Sequence, residues 1–192
     1  LAQVTDSDVS NDAFAFGTCQ EVIIAGATVK ALRVTYVGEL GWELHFPIEH
    51  ALTLYDALMK AGESFGIGNA GYRAIESLRL EKGYRAWASD IGPDYSPLEA
   101  GMGWAVKMKS NMPFMGREAI AEQQERGLSK RLACFVVDDP SIVLLGRETI
   151  YRNGERVGWL SSGGWGYTVG ENIGYGYVRN PDGVSMDYLK SG

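Results

Sequence analysis

Apolar and polar residues alternate along the first part of the chain and predict short β-strands. Residues 19–25 (CQEVIIA) predict one strand and residues 29–37 (VKALRVTYV) a second, separated by a turn at residues 26–28. Leu32, Val34 and Tyr36 are each two residues apart. Because side chains alternate between the two faces of a strand, all three lie on one face of the second predicted strand. Residues 42–47 (WELHFP) predict a further strand after the interruption Gly38-Glu-Leu-Gly41. This order of elements is typical of a hairpin with a short glycine-bounded loop.

The periodicity then changes to three and four residues, which predicts helices. Apolar residues recur at helical spacing over 49–65 and 70–82, and glycines follow both segments. A polar helix is predicted at 116–126. Between these helices, residues 84–102 are irregular and contain two prolines, and residues 104–108 (WAVKM) predict a short strand. A loop as long as 84–102 is often functional.

Beyond residue 130 the pattern predicts strands throughout. Asn153-Gly154 is a strong signal for a type I′ hairpin turn. Short strands joined by glycine-rich turns favour a small barrel or sandwich. The candidate strands are 131–137, 148–152, 156–162 and 172–179. Glycine becomes more frequent in this part of the chain, which indicates a domain boundary near residue 128.

Composition narrows the classes of protein that fit these elements. The chain has 192 residues, a net charge of −6, 45% hydrophobic and 22% charged residues. These values exclude a disordered chain and disfavour a nucleic-acid binder, which usually carries a basic face. No apolar run approaches the roughly 20 residues of a membrane helix. Cys19 and Cys134 lie far apart in sequence and predict buried, reduced thiols.

Residue types that carry catalytic chemistry are sparse. The two histidines, His45 and His50, lack helical i,i+4 spacing and a cysteine partner, so we expect no metal site. No set of residues has the spacing of a nucleophile with its base, so no catalytic residue is assigned.

The most informative polar residue is Glu39, at the tip of the predicted hairpin loop. Glycines on both sides let the backbone turn sharply there. A carboxylate held in such a loop can accept two parallel N–H donors, as a guanidinium or a pterin ring would offer. The alternative is a solvated loop glutamate, which the residues alone favour because loop acids are usually exposed.

Two further groups suit an anionic or flat ligand. Arg73, Arg79, Lys82 and Arg85 form a local basic cluster that fits an anionic tail or, alternatively, an ion-paired helix face. Trp87, Trp104 and Trp165 fit the lining of a cleft for a flat ligand, although core packing is the commoner use of a residue such as Trp104.

Five blocks in order along the chain resemble the glycine-cleavage T-protein (aminomethyltransferase) family. They are 32–45 (LRVTYVGELGWELH), 77–84 (SLRLEKGY), 96–106 (SPLEAGMGWAV), 114–120 (FMGREAI) and 158–178 (GWLSSGGWGYTVGENIGYGYV). The stretch LEKGYRAW is more similar to the C-terminal region of sarcosine and dimethylglycine dehydrogenases.

The resemblance implies an α+β fold. Residues 1–128 would form a partial folate-binding T-protein domain, a mixed sheet with helices whose N-terminal part precedes Leu1. Residues 129–192 would form a small C-terminal β-barrel of the aminomethyltransferase type, with its last strand beyond Gly192. The family's essential aspartate lies in a segment without a counterpart here, so the chain alone is expected to be inactive.

Site residues also follow from the resemblance. Glu39 matches the glutamate that binds the pterin, and Tyr36 precedes it in the same motif. Trp104 matches a tryptophan beside the folate cleft, and Arg131 lies near an arginine that contacts the glutamyl tail. Apart from the resemblance, Arg79 of the basic cluster is a further candidate contact for the anionic tail. One departure is Ile75, which stands where the T-protein branch has an arginine.

The implied function is tetrahydrofolate-dependent transfer of an aminomethyl or iminium-methylene unit, with folate and an amine-derived one-carbon donor as small-molecule partners. FAD would belong only to an upstream oxidoreductase domain outside this chain. No nucleic acid or membrane is an expected partner, and the expected location is the cytoplasm, or the mitochondrial matrix in a eukaryote. Two alternatives stay open: a tetrahydrofolate-dependent demethylase of a methylated sulfur or oxygen compound, and a non-catalytic folate-binding or interaction module.

Overall fold

The computed structural model describes residues 1–191 and separates into two units, Leu1–Ile75 and Glu76–Gly192. These are called the first unit and the second unit below. The boundary between the two units, at Ile75 and Glu76, lies within the helix Tyr72–Glu81. The predicted boundary at residue 128 came from composition, and it stays a prediction.

Three antiparallel strands form the sheet of the first unit. They are β1 (Cys19–Ile24), β2 (Ala27–Leu32) and β3 (Glu43–His45), in the order β1-β2-β3. The predicted hairpin is therefore present, but its second strand is shorter than predicted and its loop, from Leu32 to Glu43, is longer than the predicted short turn at 38–41. It ends at Leu32 because β3 offers partners for residues 30–32 only.

The buried face of β2 is not the one that contains Leu32. Ala27, Val29 and Ala31 are buried, whereas Tyr36 lies beyond the strand and is 37% exposed. The buried side chains of this unit form one core, packed around the β1–β2 hairpin. Its members are Phe14, Val22, Ile24, Ala27, Val29, Ala31 and Leu54.

The predicted helices are present. The segment predicted as one helix over 49–65 consists of α1 (Ala51–Gly62) with a 3₁₀ turn at each end, and α2 covers Tyr72–Glu81. Helix α3 covers Arg117–Arg126. The 3₁₀ turn after α1 ends at Gly66, whose φ of 71° is in the left-handed region that favours glycine.

The second unit contains an antiparallel sheet in the order β4-β7-β6-β5. Asn153 and Gly154 have φ values of 52° and 83°, which confirms the type I′ turn between β5 and β6. Its strands are β4 (Lys130–Val137), β5 (Thr149–Arg152), β6 (Glu155–Gly166) and β7 (Glu171–Arg179).

Aromatic residues of β7 dominate the core of this unit. Tyr175 and Tyr177 are both buried, and their hydroxyl groups donate hydrogen bonds to the carbonyl oxygens of Leu80 (2.7 Å) and Asp90 (2.9 Å). Tyr95 stacks on Tyr177 with ring centroids 3.9 Å apart. Burial therefore comes with satisfied hydroxyl groups, as buried tyrosines require.

Three predictions for local structure were wrong. Residues 104–108 form no strand; instead Gly103–Ala105 form a 3₁₀ turn. The chain is not all strand beyond residue 130, because α4 covers Met186–Lys190, where the hydroxyl of Ser185 accepts a hydrogen bond from the backbone N–H of Tyr188. Cys19 and Cys134 are free, as expected, but both are exposed rather than buried.

Candidate functional site

The loop between β2 and β3 positions Glu39 and Tyr36 in the first unit. Gly38 has a φ of 76°, and a Cβ atom added at Gly41 would lie 2.6 Å from the carbonyl oxygen of Val34. Both glycines are thus required for the course of this loop, one by backbone conformation and the other by close approach.

The base of the same loop is fastened by Arg33, which sequence reasoning missed. Its guanidinium is buried, lies 4.8 Å from the ring centre of Trp42, and donates to the carbonyl oxygen of Phe14 at 3.0 Å and to the side chain of Asn11. Arg33 and Trp42 flank the loop, so this cation–π contact holds its two ends together. The signal for this residue was the strand periodicity itself, since Arg33 continues the inward positions 27, 29 and 31.

The tip of this loop is open to solvent. Glu39 is exposed, and Tyr36 is 37% exposed three residues before it. A carboxylate on a fastened backbone loses little entropy when it accepts hydrogen bonds from a ligand. Capture of a pair of N–H donors by Glu39 stays a prediction.

A cleft of about 680 Å³ lies in the second unit and includes Arg131 in its lining. This volume is within the range of small-molecule sites. Arg131 lies on β4, and Arg126 at the end of α3 also lines the cleft, which gives it two guanidinium groups. Other lining residues include Leu98, Gln123, Gln124, Asp182 and Ser185.

Trp104 belongs to the 3₁₀ turn whose first residue, Gly103, lines the same cleft. Its side chain is 82% exposed, so core packing does not account for it. The structure thus brings the turn that carries Trp104 to the cleft that contains Arg131.

Arg79 has a different setting, inside the second unit. Its side chain is 1% exposed. One terminal nitrogen donates to Oδ2 of Asp90 at 2.6 Å and to the carbonyl oxygen of Tyr84 at 3.0 Å; the other donates to Glu76 and to the hydroxyl of Ser162, each at 2.8 Å. Burial lowers the pKa of Arg79, but the hydrogen bond to Glu76 and the charge of Asp90 outweigh it, so the pKa lies above its ordinary value.

Asp90 is the buried partner of this arginine, and sequence reasoning missed it as well. It is 0% exposed, and its Oδ1 accepts hydrogen bonds from the hydroxyl groups of Ser161 and Ser162, each at 2.6 Å. Together, Arg79 and Asp90 tie helix α2 to strand β6. Both terminal nitrogens of Arg79 already bond to groups of the second unit, which leaves them occupied; its contact with a ligand stays a prediction.

Two kinds of feature are absent from residues 1–191. None of the described helices is long and apolar enough to cross a membrane. In the same residues, His, Cys, Asp and Glu form no group of three or more that could hold a metal ion.

Comparison with known proteins matches both parts of the chain. The family model of the GCVT N-terminal domain covers residues 1–110, and that of the glycine cleavage T-protein C-terminal barrel domain covers residues 130–190. The chain therefore belongs to the glycine cleavage T-protein family, and its fold is the α+β fold that the resemblance implied.

Individual relatives refine this assignment. The chain is 50% identical to mitochondrial sarcosine dehydrogenase of Mus musculus over its whole length, which is 21% of that protein. It is 39% identical to the aminomethyltransferase of Halothermothrix orenii, covering 90% of this chain and 48% of that protein. The crystal structure of aminomethyltransferase T from Bartonella henselae matches with a TM-score of 0.69 and 31% identity, over 79% of this chain and 42% of that chain. The chain thus spans about a fifth to a half of the curated relatives named here.

Proposed function

We propose that this chain binds tetrahydrofolate and serves folate-dependent one-carbon transfer in the protein to which it belongs. The observation that carries the proposal is the fastened loop of Glu39, whose sequence also matches the family motif. Membership of the T-protein family and similarity to sarcosine dehydrogenase support folate-linked one-carbon chemistry. The proposed donor is an amine-derived aminomethyl or iminium-methylene unit.

The residues of the chain would bind and orient rather than form covalent bonds. Glu39 would accept hydrogen bonds from the ring N–H and amino group of the pterin, and Tyr36 would contact the same ring. Orientation by such contacts converts a bimolecular transfer into an effectively unimolecular one. The folate supplies the nitrogen that accepts the carbon, and any FAD would belong to a separate oxidoreductase domain.

The cleft of the second unit supplies a proposed site for the anionic tail. Arg131 and Arg126 offer planar guanidinium groups, which recognise carboxylates in bidentate geometry. Trp104, exposed on the adjacent turn, is the proposed aromatic contact. The mitochondrial name of the sarcosine dehydrogenase relative supports a matrix location in a eukaryote, with the cytoplasm as the alternative.

The test measures binding of 5-formyltetrahydrofolate by calorimetry. We expect Glu39→Gln to weaken binding roughly 10- to 100-fold, because a hydrogen bond to a charged group contributes about 1.5–3 kcal/mol. The matched control is Glu49→Gln, which removes another exposed carboxylate of the first unit and should leave Kd unchanged. An unchanged Kd for Glu39→Gln would contradict the pterin assignment.

The proposed contact of Arg131 with the glutamate tail is tested by comparing two ligands, one with the tail and one without it. Arg131→Gln should weaken binding of the folate about tenfold but leave the affinity for a reduced pterin without a glutamate tail unaltered. Equal losses for both ligands would indicate that Arg131 acts on the fold rather than on the tail.

A further inference from the structure

Helix α1 of the first unit has more apolar surface than the core of that unit uses. Within Ala51–Gly62, the one fully buried side chain is that of Leu54, which belongs to the core around the β1–β2 hairpin. A second set of apolar residues lies on another side of the helix. A helix that is apolar on two sides is typical of an element with two packing partners.

The second set of apolar residues is called the outer stripe below. It consists of Ile48, in the 3₁₀ turn before α1, and Leu52, Tyr55 and Met59 of the helix. The steps between them are four, three and four residues, which is the spacing of the a and d positions of a heptad. Ile48 is 85% exposed, Leu52 72% and Tyr55 45%, whereas Met59 is half-buried. The stripe therefore has the spacing of a seam between two helices, and most of it is open to solvent.

Contacts inside the first unit hold one part of the outer stripe in place. Nδ2 of Asn69 donates a hydrogen bond to the hydroxyl of Tyr55 at 2.7 Å. A Cβ atom added at Gly62 would lie 2.6 Å from Cβ of Ile67, so the segment after α1 runs back along the helix. The ring of Tyr55 is thus oriented by a fixed neighbour, and an oriented side chain loses less entropy when it packs.

A row of acidic residues borders the outer stripe. Glu49, Asp56 and Glu63 are seven residues apart, and all three are exposed. Each directly follows a d position, so they occupy successive e positions, which set the choice of partner between paired helices through charge. Lys60 follows Asp56 by four residues, on the side away from the stripe. The complementary occupant is an amphipathic helix with Lys or Arg beside its own apolar stripe.

The size of the outer stripe decides where such a helix comes from. Residues 48–59 extend about 18 Å along a helix about 10 Å wide. This area is much smaller than the roughly 800 Å² that each partner buries in a specific complex of two proteins. A short seam suffices when both helices belong to one polypeptide, because linkage raises their effective concentration.

The relatives named above are long enough to supply a second helix. The chain spans 21% of the sarcosine dehydrogenase relative and 48% of the aminomethyltransferase relative, so both include long segments outside the matched region. A second copy of this chain is a poorer occupant, because it would bring its own acidic row to the seam.

We propose that the outer stripe packs against an amphipathic helix with a basic border, supplied by another segment of the polypeptide to which the chain belongs. Side chains at the a and d positions of the two helices interdigitate, and the basic border lies beside Glu49, Asp56 and Glu63. This inference concerns assembly of the longer polypeptide and does not depend on folate binding.

The experiment measures thermal unfolding of the same variants in the 192-residue chain and in a longer polypeptide that contains it. Leu52→Gln should lower the melting temperature of the longer polypeptide by about 4–8 °C, because burial of a leucine is lost. In the chain alone it should change the melting temperature by less than about 1 °C, because Leu52 is exposed there. Thr53→Gln is the matched control: Thr53 is exposed on the polar side of α1, and its substitution should be close to neutral in both polypeptides.

A second pair of variants tests the basic border. Asp56→Lys should lower the melting temperature of the longer polypeptide by about 1–3 °C, and the effect should be larger at low salt. Lys60→Glu should have a smaller effect that is the same in both polypeptides. Each variant places like charges four residues apart in α1, so the two are matched for repulsion inside the helix.

The remaining outcomes each overturn a stated part of the inference. Equal tolerance of Leu52→Gln in both polypeptides would mean that nothing covers the outer stripe. An equally large loss in the chain alone would assign Leu52 to the fold of the first unit. Light scattering should show a monomeric chain, and a dimer that Leu52→Gln dissociates would identify a second copy as the occupant. Equal effects of Asp56→Lys and Lys60→Glu would overturn the basic border.

Discussion

Charged residues of the same type differ widely in burial in this chain, and the sequence around them does not show the difference. Arg79 and Arg156 are both arginines of the second unit, yet one is 1% exposed with four internal acceptors and the other is exposed on β6. A buried charge pair stabilises a fold mainly by avoiding the cost of a lone buried charge. Arg79 and Asp90 should therefore be strongly interdependent.

The first prediction concerns that interdependence. Arg79→Met leaves Asp90 without its cation in the core and should lower the free energy of unfolding by about 3–5 kcal/mol. Urea denaturation followed by circular dichroism measures the change. Arg156→Met is the control and should cost under about 0.5 kcal/mol, as exposed substitutions usually do. Equal effects of the two variants would contradict the assigned role of Arg79.

A second prediction at this scale concerns Glu81, which closes the β6–β7 turn. Its Oε1 accepts the backbone N–H groups of Thr168 at 2.6 Å and Val169 at 3.1 Å. Desolvation raises the pKa of Glu81, but hydrogen bonds from the side chain of Thr168 and from these backbone groups outweigh it, so the pKa lies below its ordinary value of 4.5. The stabilisation is therefore present above that value and is lost as the pH falls through the lowered pKa.

The measurement is the urea midpoint between pH 7 and pH 3. Glu81→Gln should lower the midpoint at pH 7, and the difference from the unsubstituted chain should shrink as the pH falls below 4.5. Glu155→Gln, an exposed carboxylate on β6, should show no such pH dependence. A difference that grows in acid would overturn the assignment.

At the scale of elements, hydrophobic periodicity located the helices and most strands but misplaced some of their ends. The alternation in β2 continues to Tyr36, yet pairing ends at Leu32 because β3 is three residues long. Trp104 and Val106 alternate like a strand, but Gly103 and its neighbours adopt a 3₁₀ turn. Strand ends depend on the available partner, and one-dimensional periodicity contains no information about that partner.

The turn between β5 and β6 provides the test at this scale. Gly154→Ala should destabilise the chain by about 1–2 kcal/mol, because a residue with a Cβ atom disfavours the φ of 83° found there. No atom lies within 4 Å of an added Cβ at Gly154 or at Gly92, so neither substitution creates a clash. Gly92→Ala, which needs no left-handed backbone, should be close to neutral. Similar melting temperatures for the two variants would contradict the strain argument.

At the scale of the whole molecule, family membership tells more about function than the structure of either unit does. The two family models together cover most of the chain, whereas the chain covers 21% of the sarcosine dehydrogenase relative. Oxidation of an amine requires an electron acceptor, and cofactors rather than side chains supply that chemistry. Folate binding and amine oxidation can therefore be tested separately.

The corresponding prediction is that the 192-residue chain forms no methylenetetrahydrofolate from sarcosine and tetrahydrofolate. Chromatographic detection of the folate product over a time course measures this directly. A longer polypeptide that contains the chain and a flavin domain is the positive control. Product formed by the chain alone at a rate that scales with its concentration would overturn the prediction.

The sequence by itself determined the family, helices α1 to α3, most of the strands and the Asn153-Gly154 turn, because these depend on local periodicity, on turn chemistry and on motifs. It also predicted Glu39 as a ligand contact, since two glycines mark its loop, and that role stays a prediction. Only the tertiary structure showed that Arg79 is buried against Asp90, that Arg33 fastens the loop of Glu39, and that the outer stripe of α1 is open to solvent. Burial and hydrogen-bond partners arise from residues as much as 95 positions apart, as Tyr175 and Leu80 are, and local patterns do not record such contacts.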